Sequence, residues 1–188
     1  MPTYTVRTTT GRLNGDARAT LARAMTTAHT AATGAQGFFA QVVFEEVDAD
    51  RHFVGGAPIA DELVFVHGQI RAGRTPEQKA ALLDALGGAV REALGVPRRA
   101  VWVYLVDLPP ANMVEYGYVL PAAGDEAGWL ASLDDDTEER ILHTLAVHVK
   151  STGQSIIMVT HSRQVAEPIS DEVVTIEGGR VIQKRSLR

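Results

Sequence analysis

The order strand, helix, strand occurs twice in this 188-residue chain, about 60 residues apart, and that duplication constrains the fold more than any other feature. Residues 2–8 alternate as a short strand. The run "GDARATLARAMTTAHTAATG" then reads as a helix with Leu21, Met25 and Ala28 on one face and Gly34 as its stop, and "FFAQVVFEEV" reads as a second strand. After a loop-like "VGGAPIADE", the β-branched and aromatic "LVFVHGQIR" begins the second copy. Its helix, "TPEQKAALLDALGGAVREALG", opens with an N-cap threonine, a proline at the first helical position and an early acid, and it closes on Gly95. "AVWVYLVDL" supplies the fourth strand, ended by Pro109 and Pro110. The expected fold class is therefore α/β (α+β), two fused β-α-β units. Each unit pairs its strands in parallel through a right-handed crossover. Two helices on one face of a four-stranded sheet leave the other face apolar and uncovered, which points to a homo-oligomer.

Composition narrows the function. A net charge of -5 and scattered Lys and Arg give no basic footprint, so nucleic acid is not an expected partner. The absence of cysteine excludes disulfides, Cys-based zinc sites and thiol nucleophiles. No stretch approaches the roughly 18 apolar residues of a membrane span, and the first residues lack the basic start and apolar run of a secretory signal, so a cytoplasmic protein without a membrane partner is expected.

Pro2 follows the initiator methionine. Aminopeptidase trimming before a small residue is expected to leave a free secondary amine at Pro2. Five further polar residues could meet it: His29, Arg71, Arg74, Tyr104 and Glu115. Arg71 and Arg74 close the third strand and precede a helix, where guanidinium forks and helix N-terminal amides favour an anion such as a small carboxylate. Tyr104 is expected at the carboxyl end of the fourth strand and Glu115 on the loop behind it. Each residue also has a plainer reading. The arginines could be a solvated pair, His29 a charge partner for a helix end, Tyr104 core packing and Glu115 a surface acid. One pocket for all of them requires the two units to run antiparallel, since Pro2 begins a strand and Arg71 ends one.

The segments "PTYTV", "AHTAATG", "FFAQVVFEE", "FVHGQIRAGRT" and "VWVYLVDLPPANMVEYGYVLP" resemble the tautomerase superfamily, and within it the cis-3-chloroacrylic acid dehalogenase group. The resemblance runs through residues 1–133 and implies two fused β-α-β units assembled as a homotrimer, with an amino-terminal proline in each active site. Pro2 matches that proline, His29 the family's histidine, Arg71 and Arg74 its carboxylate-binding arginines, and Tyr104 and Glu115 its water-activating pair. The implied chemistry is hydration, with dehalogenation as its consequence, of a small unsaturated three-carbon carboxylic acid resembling cis-3-haloacrylate. No metal or organic cofactor is implied. Two alternatives stay open: a keto-enol tautomerase acting on a 2-hydroxydienoate or phenylpyruvate-like acid, and a noncatalytic binding protein.

From about Leu133 the pattern changes, and residues 134–188 are expected to form a separate helix-strand-hairpin tail. "SLDDDTEERILHTL", "SIIMVTHS" and "DEVVTIEGGRVIQ" resemble the end of an ABC-transporter ATPase, with His161 matching its switch histidine. No G-x-x-x-x-G-K-[ST] phosphate loop, signature "SGGQ" or clear Walker B strand accompanies them, so this fragment is expected to be noncatalytic. The acids Asp134, Asp135 and Asp136 read as a helix start favoured by the dipole rather than as a metal site.

Overall fold

The computed structural model describes residues 2–35, 40–59, 63–122, 125, 128–129, 132–152, 155, 157 and 167–187. Phe38, Phe39, His161 and most of the expected strand at 154–162 lie outside the described residues. The backbone contacts divide the chain into two compact units, residues 1–123 and 124–188.

In the first unit, β1 (Thr3–Thr9), α1 (Gly15–Thr33) and β2 (Gln41–Val47) form one strand-helix-strand copy. The short hairpin β3 (Phe53–Val54) and β4 (Ala57–Pro58) follows it. The second copy is β5 (Val64–Arg71), α2 (Pro76–Leu94) and β6 (Val101–Leu108), trailed by its own hairpin of β7 (Val114–Glu115) and β8 (Tyr118–Val119). Both helices are 19 residues long. The duplication therefore includes a terminal hairpin in each copy.

Helix boundaries follow from side-chain caps. Asn14 accepts a hydrogen bond from the Ala17 N–H at 2.8 Å and starts α1, while Gly34 ends it at φ 71°. Thr75 and Gln78 form a reciprocal capping box at α2, with Pro76 in the first turn, and Gly95 at φ 64° ends it.

The four long strands form one sheet in the order β2-β1-β5-β6. β1 runs parallel to β2 and β5 runs parallel to β6, whereas β1 and β5 pair antiparallel with Thr3 opposite Gln69 and Val6 opposite Val66. The two copies are thus related by a pseudo-two-fold axis between β1 and β5. Alternation along the strands sends Tyr4, Val6, Val64, Val66 and Ile70 to one face, where they pack with Leu21, Met25, Leu82, Leu86 and Val90 of the helices. Each such buried side chain contributes roughly 1.5–3 kcal/mol relative to exposure.

The opposite face carries Thr3, Thr5 and Arg7 on β1, Phe65 and His67 on β5, and Trp102, Tyr104 and Val106 on β6. Its character differs from the uniformly apolar face expected. Aromatic and aliphatic groups concentrate on β5 and β6, while Arg7 and Glu45 form an ion pair of 2.7 Å across β1 and β2. A shallow depression of about 330 Å³ on this face is lined by Thr5, Arg7, Glu45, Phe65, His67 and Tyr104.

Two local expectations need correction. The loop-like stretch near Gly55 and Gly56 is the β3–β4 hairpin, its turn made by those two glycines at φ 61° and 84°. Glu115, expected on a loop, lies in β7 of a hairpin that turns through Tyr116 at φ 54° and Gly117 at φ 88°.

In the second unit, α3 (Asp135–Thr152) starts where the Asp134 carboxylate accepts from the Thr137 N–H at 2.8 Å, a helix cap in line with the dipole reading. Ile141, Leu142 and Leu145 are buried. β9 (Glu172–Glu177) and β10 (Arg180–Ser186) form the expected hairpin on Gly178 and Gly179, both at positive φ.

Candidate active site

The crossover topology brings the elements that carry Pro2, His29, Arg71 and Arg74 to one edge of the sheet. A helix that joins two parallel strands returns to where they start, so the end of α1 lies beside the start of β1. His29 is in the last turns of α1, and Pro2 immediately precedes β1. The antiparallel β1–β5 pairing brings the end of β5 to the same edge. Continuing the Thr3–Gln69 register by one residue sets Pro2 opposite Ile70, next to Arg71. Arg74 follows on the turn into α2, and the Ala72 N–H donates to the Leu108 carbonyl at 2.8 Å, which brings the end of β6 to this edge too. The β7–β8 hairpin with Glu115 comes directly after β6. The antiparallel arrangement that a shared pocket requires is present.

Pro2 is buried, and its carbonyl accepts the Gln41 N–H at 2.9 Å, which pins the start of the chain to β2. His29 is 2% exposed, and its Nδ1 lies 2.6 Å from the Tyr4 hydroxyl. Burial lowers the imidazole pKa from 6.5 to about 4, with the positive charges of Arg74 and the chain's amino terminus acting in the same direction. Burial pushes the Tyr4 phenol well above its ordinary value against a smaller opposing pull from Arg74. Arg74 is therefore close enough to act on both rings. Arg71 is half-buried and donates to the Pro121 carbonyl at 3.1 Å, a bond that orients its guanidinium. Glu115 is half-buried, with its Oε2 shielded from solvent.

Tyr104 does not join this group within one chain. Its alternation places it on the uncovered face of the sheet, edge-on to Phe65 with ring centroids 5.1 Å apart, and 54% exposed. It stands four residues before the end of β6, roughly 13 Å along the strand by the usual rise per residue. Tyr4, by contrast, belongs to the site's wall and was missed as a site residue. Its signal in the sequence is its place two residues after Pro2, on the covered parity of β1. Among the described residues, no group of three or more His, Asp or Glu is arranged to hold a metal ion, and no helix is long and apolar enough to cross a membrane.

The family model described as "Putative oxalocrotonate tautomerase enzyme" matches residues 1–133. The chain belongs to the tautomerase superfamily. Among solved structures, this tautomerase-superfamily chain is similar to N1, a member of the cis-3-chloroacrylic acid dehalogenase family, with 35% identity and a TM-score of 0.70 over 74% of this chain and 97% of that one. It is also similar to the F6 fused 4-OT wild-type asymmetric trimer, with 26% identity and a TM-score of 0.60 over 65% of this chain and 98% of that one. It is a tautomerase-type enzyme built of two fused β-α-β units, within the group that includes the cis-3-chloroacrylic acid dehalogenases. A different kind of likeness also exists. The methionine import ATP-binding protein MetN 2 of Oenococcus oeni is 39% identical over 62 residues, 33% of this chain, and the chain spans only 17% of that protein's length.

The lowered pKa of His29 predicts a pH dependence of stability. Between about 4 and 6.5 the unfolded chain binds a proton at this histidine that the native state does not, so proton uptake favours unfolding. His29 should therefore subtract stability as pH falls through 6.5, by roughly 3 kcal/mol in total, and the loss should level off below about 4. Urea midpoints of the wild type and His29→Gln across pH 7.5 to 4.5 test this. Parallel curves would mean that His29 titrates normally in the folded protein.

Proposed function

We propose that this enzyme adds water, without a cofactor, to a small unsaturated three-carbon carboxylic acid, and that with a cis-3-haloacrylate the addition leads to halide release. The observation that supports the reading is the antiparallel β1–β5 register, which puts the start of β1 at the sheet edge where β5 ends and the segment carrying Arg71 and Arg74 begins. Arg71 and Arg74, helped by His29, hold the substrate carboxylate and draw electron density toward it, leaving carbon 3 electrophilic. Glu115 accepts a proton from a water that Tyr104 orients, and the water oxygen bonds to carbon 3. The amine of Pro2, free once Met1 is removed, acts in this reading as the general acid that delivers a proton to carbon 2. The halohydrin then expels halide as its hydroxyl loses a proton, giving the aldehyde acid.

Tyr104 comes from a second subunit in this reading. Its exposed place on the uncovered face, amid Trp102 and Val106, supports a homotrimer in which each subunit offers that face to the Pro2 edge of its neighbour. Similarity to a trimeric fused 4-OT points the same way. A second reading has its own support. Keto-enol tautomerisation of a 2-hydroxydienoate or phenylpyruvate-like acid calls on the terminal amine and the carboxylate-binding arginines, which this one chain carries at one end of the sheet, and needs no water-orienting Tyr104.

Glu115→Gln separates the two. It keeps the side chain's shape but removes the base that activates water. Hydration of cis-3-chloroacrylate and 2-propynoate should fall by about 10²-fold or more, while ketonisation of phenylenolpyruvate should change little. Equal loss of both activities would refute the division of roles.

A further inference from the structure

We propose that Tyr4 is a positioning residue whose buried hydroxyl donates to His29 Nδ1 and fixes the imidazole as its Nε2–H tautomer, with Gly68 providing the gap that seats the phenol ring. This rests on the reading above only in giving His29 a task; the hydrogen bond and its cause are independent of any substrate.

The geometry begins in the sheet. Tyr4 lies on the covered parity of β1, is 0% exposed, and sits opposite Gly68 in the β1–β5 register. A Cβ on Gly68 would stand 2.8 and 2.9 Å from Tyr4 Cε1 and Cδ1, and 2.7 Å from Leu105 Cδ2. Ring and leucine therefore occupy the space a side chain would need. Gly68 has no left-handed backbone to explain it, so room for the ring is the reason for glycine here. Held in that niche, the phenol ring meets the His29 ring edge-on at 5.8 Å between centroids, and the hydroxyl reaches Nδ1 at 2.6 Å.

Proton accounting sets the direction of the bond. The phenol carries one hydrogen, and Nδ1 is its acceptor among the described residues. If Nδ1 carried the hydrogen instead, the phenol's own hydrogen would be left at 0% exposure without that acceptor, an arrangement buried polar groups avoid. With the hydroxyl donating, Nδ1 uses its lone pair and the ring's hydrogen resides on Nε2. Burial and the Arg74 charge disfavour a second ring proton. His29 is then a neutral N–H donor with a fixed direction, suited to an oxyanion or carboxylate and unable to act as a base toward it.

Ring-nitrogen NMR on full-length protein labelled with ¹⁵N-histidine reads the tautomer directly. The chain holds six histidines, and signals lost in His29→Gln identify the residue. The expected wild-type result is a bare, hydrogen-bonded Nδ1 and a protonated Nε2, unchanged from pH 8 to 5.5. Tyr4→Phe keeps the ring in its niche and should give averaged shifts at both nitrogens, with kcat/KM lowered about tenfold and the fold retained. Gly68→Ala, which displaces the ring while keeping the hydroxyl, should loosen the tautomer in the same way. A wild-type Nδ1–H, or a tautomer untouched by Tyr4→Phe, overturns the proposal. A locked tautomer in a protein that does not hydrate haloacrylates leaves it standing and removes only the substrate reading.

Discussion

Replacing Pro2 with alanine is expected to lower turnover of cis-3-chloroacrylate by about 10²-fold or more, the range for losing a positioned general acid. The ring of Pro2 is buried, and its carbonyl is tied to the Gln41 N–H at 2.9 Å, so the residue holds one orientation at the start of β1. Alanine keeps an amine but not the ring that directs it, and stability should change little. Binding of the substrate carboxylate belongs to Arg71 and Arg74, so KM should stay within a few-fold while kcat falls. A preparation in which Met1 is retained, verified by mass spectrometry, should be impaired at least as severely because its Pro2 nitrogen is an amide. Halide release that is undiminished in either protein would remove Pro2 from the mechanism.

The parts of this architecture that were legible in the sequence are those written locally. Alternation in "VWVYLVDL" and "LVFVHGQIR" marks strands, and Thr75 with Gln78, Pro76 and Gly95 marks both ends of α2, because caps and parity act over a few residues. The hairpins escaped for the opposite reason. Strands of two residues, Phe53–Val54 or Val114–Glu115, are too short to show a period, and only the turn residues Gly55-Gly56 and Tyr116-Gly117 betray them. Carrying the duplication through to its end would have found both hairpins, since each follows its copy at the same offset.

The site was legible as a set of residue types more than as a geometry. The β1–β5 pairing joins residues more than 50 positions apart, and no local signal fixes its antiparallel sense, yet that pairing decides whether Pro2 and Arg71 share an edge. Tyr4 was unremarkable in sequence because an aromatic on a covered strand is ordinary core. What distinguishes it is the hydroxyl at 2.6 Å from His29 and the missing side chain at Gly68, both products of packing across two copies. For Tyr104 the sequence gives the parity but not the face. Val103 and Leu105 pack on the core beneath the helices, and that assignment alone turns Tyr104 toward the uncovered side.

That placement of Tyr104 yields the second large effect, a test in which two defective chains restore each other. Tyr104→Phe should lower hydration by about 10²-fold, since the water it orients loses a hydrogen-bonding partner. Pro2→Ala should be comparably impaired. When the two variants are co-expressed in equal amounts and assemble at random into three-fold rings, a complete site forms wherever an intact Pro2 faces a neighbour's intact Tyr104, which is about a quarter of the sites. Mixed protein should accordingly recover about a quarter of the wild-type rate, far above either parent, whereas a chain carrying both substitutions, co-assembled with either single variant, should recover nothing comparable. The reason is geometric: the Tyr104 side chain emerges on the face opposite the helices, roughly 13 Å along β6 from the sheet edge at which β1 begins and β5 ends. A mixture no more active than its parents would mean that Tyr104 does not serve a neighbour's site. Full activity of Tyr104→Phe alone would return the enzyme to the tautomerase reading, in which the arginines, His29 and the terminal amine suffice.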